Sequence, residues 1–449
     1  MKIKIKRGFD LPLAGGIPAS TATCRDVVSP SVAIYPGDFE GFQPKAMVRP
    51  GQRVVAGEAV LYHKDDERIK LVSPVSGIIQ DVVRGERRRI LSVIISCDGT
   101  DEHLHTDGDL TKREVGPQEA ITILAEAGLL ALIRQRPFHI IPDADIRPRD
   151  IFITSFDSSP LAVNRNWKDP EVMTALQAGA SFLSNITTGE IYISQRGDAF
   201  PELRNVRNVV VEGPHPAGLP GIQIANIKPV NKGETVWTLS AETLWRIGRL
   251  VTNGIFESTA YVTVCGERVR APYIARTVIG AKLSSLLDGE IVAEEKHFRV
   301  ISGNVLTGIK SELENGYIHY PYTQVTVIDE GDQNDEFMGW ASLSPKKLSM
   351  SPSYPGRFLR KLFNVDARMG GGQRAIIMSG EYDRMLPMDI YGEYLIKAIR
   401  SRNIEQMERL GIYEVAPEDF ALAEFLDSSK LPLQKIVREG LDYLRRELK

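Results

Sequence analysis

The stretch IFITSFDSSPLAVNRNWKDPEVMTALQAGASFLSNITTGEIYIS, residues 151 to 194, sets the pattern of the central part of the chain. Its first four residues, Ile151 to Thr154, are apolar or β-branched and predict a buried strand. Asp169 and Pro170 predict the N-cap and first position of a helix. Ile191 to Ile193 predicts a second strand. A strand, a helix and a strand in this order predict a parallel sheet.

The same alternation continues on both sides of that stretch. Val209 to Val211 predicts a further strand, and apolar residues at three- and four-residue spacing predict a helix from Val115. Another helix is predicted to begin after Ser240 as N-cap and to end at Asn253-Gly254. We therefore predict a Rossmann-like α/β domain over residues 101–255, in which ligands bind beyond the carboxyl ends of the strands.

The composition is that of an ordinary globular protein. Of 449 residues, 43% are apolar and 25% charged, and the net charge is -3. The length predicts several domains, and the lack of basic excess gives no indication of nucleic-acid binding. No secretory signal or membrane span is predicted anywhere in the chain. Cys24, Cys97 and Cys265 are too widely spaced for a close-set thiolate cluster or a disulfide framework, which favours a reducing cytoplasm.

Residues 1–100 contain glycine turns between short β-branched runs, in the phrases PGQRVVAGE (50–58) and SPVSG (73–77). These phrases resemble the hairpin sandwich of biotinyl and lipoyl carrier domains. The resemblance would put a modified lysine at the position of Asp66, and Lys64 and Lys70 are both misplaced. A structural or docking role is therefore favoured over a covalent carrier.

The central domain resembles the flavin-binding subunit of respiratory NADH dehydrogenases and the C subunit of Rnf complexes. Those relatives carry a glycine-rich flavin loop where this chain has Gly128 to Phe138, and only Gly128 remains. Side chains in such a loop block the close approach of backbone to phosphate. An acidic Glu-x-Glu-Pro phrase of the relatives is replaced by Ser155 to Pro160, with Asp157 as its one acid. Their cluster-binding cysteines have no counterpart.

The phrase GPHPAGLPG, residues 213 to 221, combines rigid and permissive residues and predicts a loop of defined turns. His215 in this loop either binds a ligand or a proton, or caps a turn, which is the commoner use. Trp237 and Trp245 flank the start of the helix after Ser240. They could form an aromatic wall for a quinone ring, but core packing is favoured.

Residues 256–330 contain a predicted strand from Tyr261 to Gly266 and a predicted helix from Ile279 to Leu287. Phe298 to Gly308 follows as the next segment. This order resembles the β-grasp, soluble-ligand-binding domain of the same respiratory subunits. Cys265 lies within the predicted strand, so we predict a buried structural thiol.

Residues 331–378 are predicted to be an irregular linker or docking segment. Gly370 to Gly372 is interpreted as a hinge or tight loop rather than a phosphate site. Residues 379–449 are predicted to form a helical domain. The last helix of this domain has an apolar stripe formed by Leu433, Ile436, Val437, Leu441 and Leu444.

Two phrases, GPHPAGLPG and SGEYDRMLPMD (379–389), resemble the NqrA family, whose members belong to the sodium-translocating NADH:quinone oxidoreductases. The resemblance covers nearly the whole chain. It implies a peripheral subunit on the cytoplasmic face of the bacterial inner membrane, within a complex of six subunits that reduces quinone with NADH and exports sodium. It also implies that flavins and an iron-sulfur cluster reside in partner subunits, through which the membrane is contacted.

No catalytic residue, metal ligand or tightly bound cofactor is predicted for this chain, and a quinone is the candidate ligand. The predicted ligand region is the former flavin cleft, formed by Arg134, Arg136, Phe138, Asp157 and His215. The arginines could equally form surface ion pairs. Two other hypotheses stay open. One is a diverged flavin-dependent NADH dehydrogenase subunit, and the other is a lipoyl or biotinyl carrier.

Overall fold

A computed structural model describes residues 1–18, 23–106, 110–292, 297–332, 348 and 362–448. In chain order the strands are β1 Lys2–Lys4, β2 Cys24–Asp26, β3 Ser31–Ile34, β4 Pro44–Ala46, β5 Arg53–Val54, β6 Ala59–His63, β7 Asp66–Val72, β8 Gly77–Arg84, β9 Ile90–Cys97, β10 Arg134–Arg136, β11 Ile151–Thr154, β12 Ile191–Gln195, β13 Arg207–Glu212, β14 Val236–Ser240, β15 Thr259–Cys265, β16 Tyr273–Val278, β17 Phe298–Ser302, β18 Ile309–Ser311 and β19 Gln324–Asp329.

The α-helices are α1 Pro117–Glu126, α2 Pro170–Ser184, α3 Pro220–Ile227, α4 Ala241–Asn253, α5 Leu283–Leu287, α6 Glu381–Met385, α7 Gly392–Arg400, α8 Ile404–Arg409, α9 Ala421–Leu426 and α10 Leu433–Glu447. Short 3-10 turns lie at Pro36–Asp38, Glu86–Arg88, Leu130–Leu132 and Pro417–Phe420. Together these elements form a mixed α/β protein with several separate sheets.

The central sheet has the strand order β1-β13-β12-β11-β14-β10. Five of its strands run parallel, and β10 pairs antiparallel with β14 at one edge. The predicted strands at 151–154, 191–193 and 209–211 are confirmed as parts of β11, β12 and β13. The chain passes from β11 to β12 and β13 on one side and then crosses to β14 on the other side of β11.

Helices α2 and α4 pack closely together on one face of the central sheet. Both predicted N-caps are confirmed, because the Asp169 side chain accepts from the backbone of Glu171 and the Ser240 side chain from that of Thr243. Gly248 allows the close contact. A Cβ at this position would lie 1.8 Å from the backbone oxygen of Ala175. The interhelical contact therefore depends on glycine, not on interlocking side chains.

The N-terminal module is built from the four-stranded sheet β3-β9-β8-β5 and the three-stranded sheet β4-β6-β7. Strands β1 and β2 leave this module, since β1 pairs with β13 of the central sheet and β2 pairs with β16. The helix predicted from Val115 begins at Pro117 and ends at Glu126, as α1, and it packs against β7. Gly128 follows α1 with φ +74°, and a Cβ there would lie 2.9 Å from the Val72 side chain.

The third sheet has the order β18-β17-β19-β15-β16-β2, with α5 packed beside it. The predicted helix from Ile279 is wrong in its first half, because helix α5 begins only at Leu283. Gly280 has φ +72°, and Ala281 forms a bridge to Val32 of the N-terminal module. Pairing with another domain thus competes successfully with local helix formation. The prediction of a buried Cys265 is confirmed, and burial raises the pKa of its thiol to about 12.

The C-terminal helices share a core with the outer strands of the central sheet. Ile3 of β1 and Val211 of β13 belong to the same apolar cluster as the predicted stripe of α10, which is confirmed as buried. Phe363 is buried and forms a bridge to Leu13. Most of the predicted linker, including Trp340, Phe358 and Leu359, lies outside the described residues. Gly370 to Gly372 is largely exposed, and within the described chain no helix begins there.

Candidate functional site

A small cleft, with a cavity volume of about 40 Å³, lies where the N-terminal module, the segment after α1 and the third sheet meet. We call it the junction cleft. Its lining is largely apolar and includes four aromatic side chains and one carboxylate. The lining residues are Ala33, Ile34, Tyr35, Asp38, Phe39, Leu71, Val72, Pro74, Gly128, Leu132, Phe256, Ile279, Gly280, Ile318 and Tyr320.

Two aromatic rings from different parts of the chain are stacked at this cleft. The ring of Phe39 lies 5.2 Å from that of Tyr320 with an interplanar angle of 9°. The Tyr320 hydroxyl donates to the backbone oxygen of Leu132 at 2.7 Å, which holds the ring in place. Flat apolar walls of this kind accept planar ligands by offset stacking.

Asp38 connects two domains at the cleft. Its carboxylate accepts from the Nδ1 atom of His319 at 2.8 Å and from the backbone nitrogen of Tyr320 at 2.9 Å. The His319 ring stacks on Tyr35 with 4.0 Å between centroids. Burial raises the pKa of Tyr35 to about 12, so its phenol keeps a proton to donate at neutral pH.

Arg134, the first of the predicted ligand residues, lies beside the junction cleft. Its guanidinium donates to the backbone oxygens of Ala131 and Asp38, at 2.8 and 2.9 Å. The same group lies 5.9 Å from the centroid of Phe39 and 5.5 Å from that of Tyr320. Burial lowers the pKa of Arg134, but an arginine this basic remains a cation. A fixed positive charge thus stands next to the aromatic walls.

Arg136 points to the C-terminal helices instead. It is fully buried and donates to the Asp419 carboxylate and to Glu418, both at 3.1 Å. Asp419 is also fully buried at its side chain, and it accepts from the backbone nitrogen of Ala416 at 2.8 Å. Burial, assisted by the charge of Asp419, raises the pKa of Glu418. These contacts form an internal ion pair, not the surface ion pair considered from the sequence.

Phe138 lies at a second, larger cleft with a cavity volume of about 590 Å³, lined in part by Tyr413, His63 and Arg445. Its ring meets that of Tyr413 edge-on, with 6.5 Å between centroids. Its backbone oxygen accepts from Arg438 of α10 at 2.8 Å. The residue has φ +82°, which directs the chain around this contact. Phe138 therefore lies at a different cleft from the one beside Arg134.

Asp157 and His215 lie in two loops at the carboxyl ends of parallel strands. The Asp157 carboxylate accepts from the backbone nitrogen and hydroxyl of Ser159, at 2.7 and 2.8 Å. His215 Nδ1 lies 3.1 Å from the hydroxyl of Ser158, and its backbone nitrogen donates to Asp10 at 2.7 Å. Burial lowers the pKa of His215, which favours the neutral imidazole at pH 7. Neither residue lines the two clefts described here.

The five predicted residues are thus distributed over three environments. The residues that make the stacking contacts and hydrogen bonds at the junction cleft were not predicted from the sequence. Those residues are Tyr35, Asp38, Phe39, His319 and Tyr320. A signal was present in two short phrases that combine aromatic residues with proline, Tyr35-Pro36-Gly37-Asp38-Phe39 and His319-Tyr320-Pro321-Tyr322. Their wide separation along the chain gave no reason to connect them.

Asp66 lies at the position where a carrier domain would have its modified lysine. Asp66 begins β7 and accepts from both the side chain and the backbone of Arg68. Lys70 lies within the same strand opposite Tyr62, and Lys64 donates through its backbone to Gln43. Asp66 is thus part of a local ion pair, and its pKa is lowered chiefly by the Arg68 hydrogen bond.

Three family models match successive parts of the chain. The model described as the NqrA N-terminal barrel-sandwich hybrid domain matches residues 3–98, and the NqrA second alpha/beta domain matches residues 117–256. The model described as the NQRA C-terminal domain matches residues 261–312. Their order along the chain is that of the N-terminal module, the central sheet and the third sheet.

Curated relatives match over the full length. The NqrA protein of the Na(+)-translocating NADH-quinone reductase of Vibrio anguillarum is 33% identical over 99% of this chain and 100% of its own length. The corresponding proteins of Neisseria meningitidis and Pasteurella multocida are 32% and 31% identical with the same coverage. The chain belongs to the NqrA family of Na(+)-translocating NADH-quinone reductase subunits. The family identified from the two sequence phrases is therefore confirmed.

A solved NAD+-reducing nickel-iron hydrogenase matches 51% of this chain and 52% of its own, at 16% identity and a TM-score of 0.31. Within the described ranges, no set of three or more His, Cys, Asp or Glu side chains is arranged to hold a metal ion. No helix among the described residues has the length and apolar character needed to cross a membrane.

Proposed function

We propose that this chain is a peripheral subunit of a respiratory complex that reduces quinone with NADH and exports sodium. Full-length similarity to NqrA relatives, which are named as parts of Na(+)-translocating NADH-quinone reductases, supports this role. In this proposal the chain works in an assembly of six subunits at the cytoplasmic face of the bacterial inner membrane. Flavins and an iron-sulfur cluster reside in partner subunits, and the chain itself contributes assembly and a binding surface for quinone.

The proposed ligand is a quinone headgroup bound in the junction cleft. The observation that supports it best is the stacked pair Phe39 and Tyr320, because a quinone is planar and stacks on aromatic walls. The phenol of Tyr35 supplies a hydrogen-bond donor for a quinone carbonyl. Arg134 adds a fixed cation next to the walls, which attracts the electron-rich carbonyl oxygen.

For the other four predicted ligand residues we propose a structural role, without contact to the quinone. Arg136, the last residue of β10, joins this strand to the C-terminal helices, and Phe138 contacts Tyr413 of the same helical region. Asp157 and His215 hold the loops at the carboxyl ends of β11 and β13. In this proposal only Arg134 lies next to the ligand.

We also propose the domain division 1–100, 101–255, 256–330, 331–378 and 379–449. The spans of the three matching family models, 3–98, 117–256 and 261–312, support the first three. The finer interpretations as a lipoyl-like module, a Rossmann-like domain and a β-grasp domain belong to the same proposal. The parallel order of the central sheet supports the second of them.

Binding of a soluble quinone analogue to the purified chain tests this function. We expect the analogue to raise the melting temperature and to protect residues 33–39, 128–134 and 318–320 from hydrogen exchange. Phe39→Ala and Tyr35→Phe should each weaken binding, whereas Tyr443→Phe, on α10, serves as the matched control. Unchanged exchange at all three segments would remove the quinone site from this chain.

An absorption spectrum and an intact mass of the same preparation test the expected lack of a bound cofactor. A colourless protein of unmodified mass agrees with the proposed role. A bound flavin would favour the diverged dehydrogenase subunit, and a mass increment on Lys64 or Lys70 would favour the carrier.

A further inference from the structure

The hairpin between β8 and β9 ends in a cluster of arginines. Arg84, Arg87, Arg88 and Arg89 lie within six residues and are all exposed. We call residues 84–91 the arginine tip. Its one acidic residue is Glu86. The chain as a whole carries a net charge of -3, so this cluster is a local concentration of positive charge on an otherwise slightly acidic protein.

The arginines of the tip are not engaged with acids of the described chain. No ion pair among the described residues involves any of the four. Among the described residues, one internal contact of these guanidinium groups is present, from Arg84 to the backbone oxygen of Arg88 at 3.2 Å. The guanidinium groups of Arg87, Arg88 and Arg89 therefore face solvent and are available to an anionic surface.

Two of the arginines have left-handed backbone conformations. Arg87 and Arg88 have φ +52° and +60°, the left-handed region that glycine or asparagine occupies at lower cost. Their exposed side chains offer the fold no packing that offsets this cost. Two successive left-handed residues form a tight hairpin turn, and arginine at both positions puts two positive charges at its end.

An apolar side chain accompanies the charges. Leu91, the last residue of the tip, lies in strand β9 and is 47% exposed. It lies over Gly85, where a Cβ would be only 3.0 Å from the Leu91 side chain. A tip with arginines and one exposed leucine matches a phospholipid surface, where cations meet headgroup phosphates and an apolar group enters the acyl boundary.

A membrane fits the dimensions of this tip better than a folded partner does. A stable protein interface buries roughly 800 Å² on each side, formed by about 20 to 30 residues. The narrow end of one hairpin does not provide such an area. Headgroup phosphates need only individual contacts with guanidinium groups, and several of them can be bound side by side.

We propose that the arginine tip binds the anionic headgroups of a phospholipid membrane directly. This contact goes beyond the proposed attachment through partner subunits, and it does not depend on quinone binding at the junction cleft. The arginines supply salt-sensitive attraction, and Leu91 supplies a smaller contribution that salt does not screen.

Co-sedimentation of the full chain with vesicles tests the proposal. We expect binding to phosphatidylcholine vesicles that contain phosphatidylglycerol, and little binding to pure phosphatidylcholine. The triple variant R87Q/R88Q/R89Q should lose at least about tenfold in affinity, because each basic residue near an anionic surface strengthens binding roughly fivefold. The variant L91S should weaken binding less, and its effect should persist at high salt.

The matched control is the triple variant R207Q/R409Q/K435Q, which removes three exposed positive charges elsewhere. It should bind like the unmodified chain. Circular dichroism of every variant confirms that the fold is retained. Equal binding by the two triple variants, or no preference of the unmodified chain for phosphatidylglycerol, would overturn the proposal. A tip that ignores vesicles but binds a purified acidic protein would do the same.

Discussion

Asp38 and His319 are joined by a 2.8 Å hydrogen bond across 281 positions of sequence. The bond connects the turn after β3 with the segment between β18 and β19. With the backbone contact from Tyr320, it uses both oxygens of a carboxylate that is only 6% exposed. One acidic side chain thus joins the two regions that border the junction cleft, in addition to the bridge between Val32 and Ala281.

Replacing Asp38 by asparagine should therefore affect both stability and ligand binding. We expect the free energy of unfolding to fall by about 1–3 kcal/mol. The asparagine amide has one oxygen that accepts and one nitrogen that does not, so either His319 or the Tyr320 backbone nitrogen loses its acceptor. Quinone-analogue affinity should fall with it. Urea unfolding and a binding titration measure these effects. D26N, at a side chain that is 77% exposed, is the control and should change neither quantity.

The buried pair of Arg136 and Asp419 predicts a large asymmetry between single and double variants. R136M should destabilise the protein by about 3–5 kcal/mol, because it leaves a buried carboxylate without its cation. R136M combined with D419N should be less destabilised than the single variant. The exposed pair of Arg409 and Glu405 provides the comparison, and R409M should cost under about 1 kcal/mol. Similar losses for R136M and R409M would contradict the internal role of Arg136.

Gly248 predicts a steric limit at the contact between α2 and α4. G248A should lower the free energy of unfolding by at least about 1–3 kcal/mol, because the new methyl group would lie against the Ala175 carbonyl. An ordinary exposed helix position would gain from the same change. Thermal unfolding measures the effect, and G372A, where a Cβ meets nothing within 4 Å, serves as control. A neutral G248A would mean that the two helices are more widely spaced.

Glu267 predicts a loss of stability as pH rises. Burial, with Asp329 nearby, raises its pKa from 4.5 to about 7, and its Oε2 atom has no hydrogen-bond partner among the described residues. The folded state then binds a proton more tightly than the unfolded state. The resulting stability is fully present below pH 4.5 and is lost as pH rises through about 7.

The variant E267Q isolates this effect. It should unfold at the same temperature as the unmodified chain in acid and at a higher temperature above neutral pH. The difference in the free energy of unfolding above neutral pH should be roughly 1–3 kcal/mol. Melting curves over this pH range provide the measurement. Parallel pH profiles for the two proteins would show that Glu267 titrates with an ordinary pKa.

Local sequence was sufficient for most elements because their determinants lie within a few residues. Asp169 and Ser240 cap helices through their own side chains, and Gly254 ends α4 in the left-handed conformation, as predicted. The helix predicted from Ile279 failed because its first half pairs with Val32 of another domain. A local pattern contains no information about such a competing partner.

The sequence by itself determined strands β11, β12 and β13 and helices α2 and α4 of the central domain, the buried face of α10 and, through two short phrases, the family. Only the tertiary structure decided that Lys2–Lys4 extends the central sheet and that Arg134 and Arg136, two residues apart, contact different domains. The hydrogen bond between Asp38 and His319 likewise depends on the tertiary structure. The physical reason is that hydrogen-bond periodicity and capping act over a few neighbouring residues, whereas a cleft at a domain junction depends on which distant surfaces exclude water together.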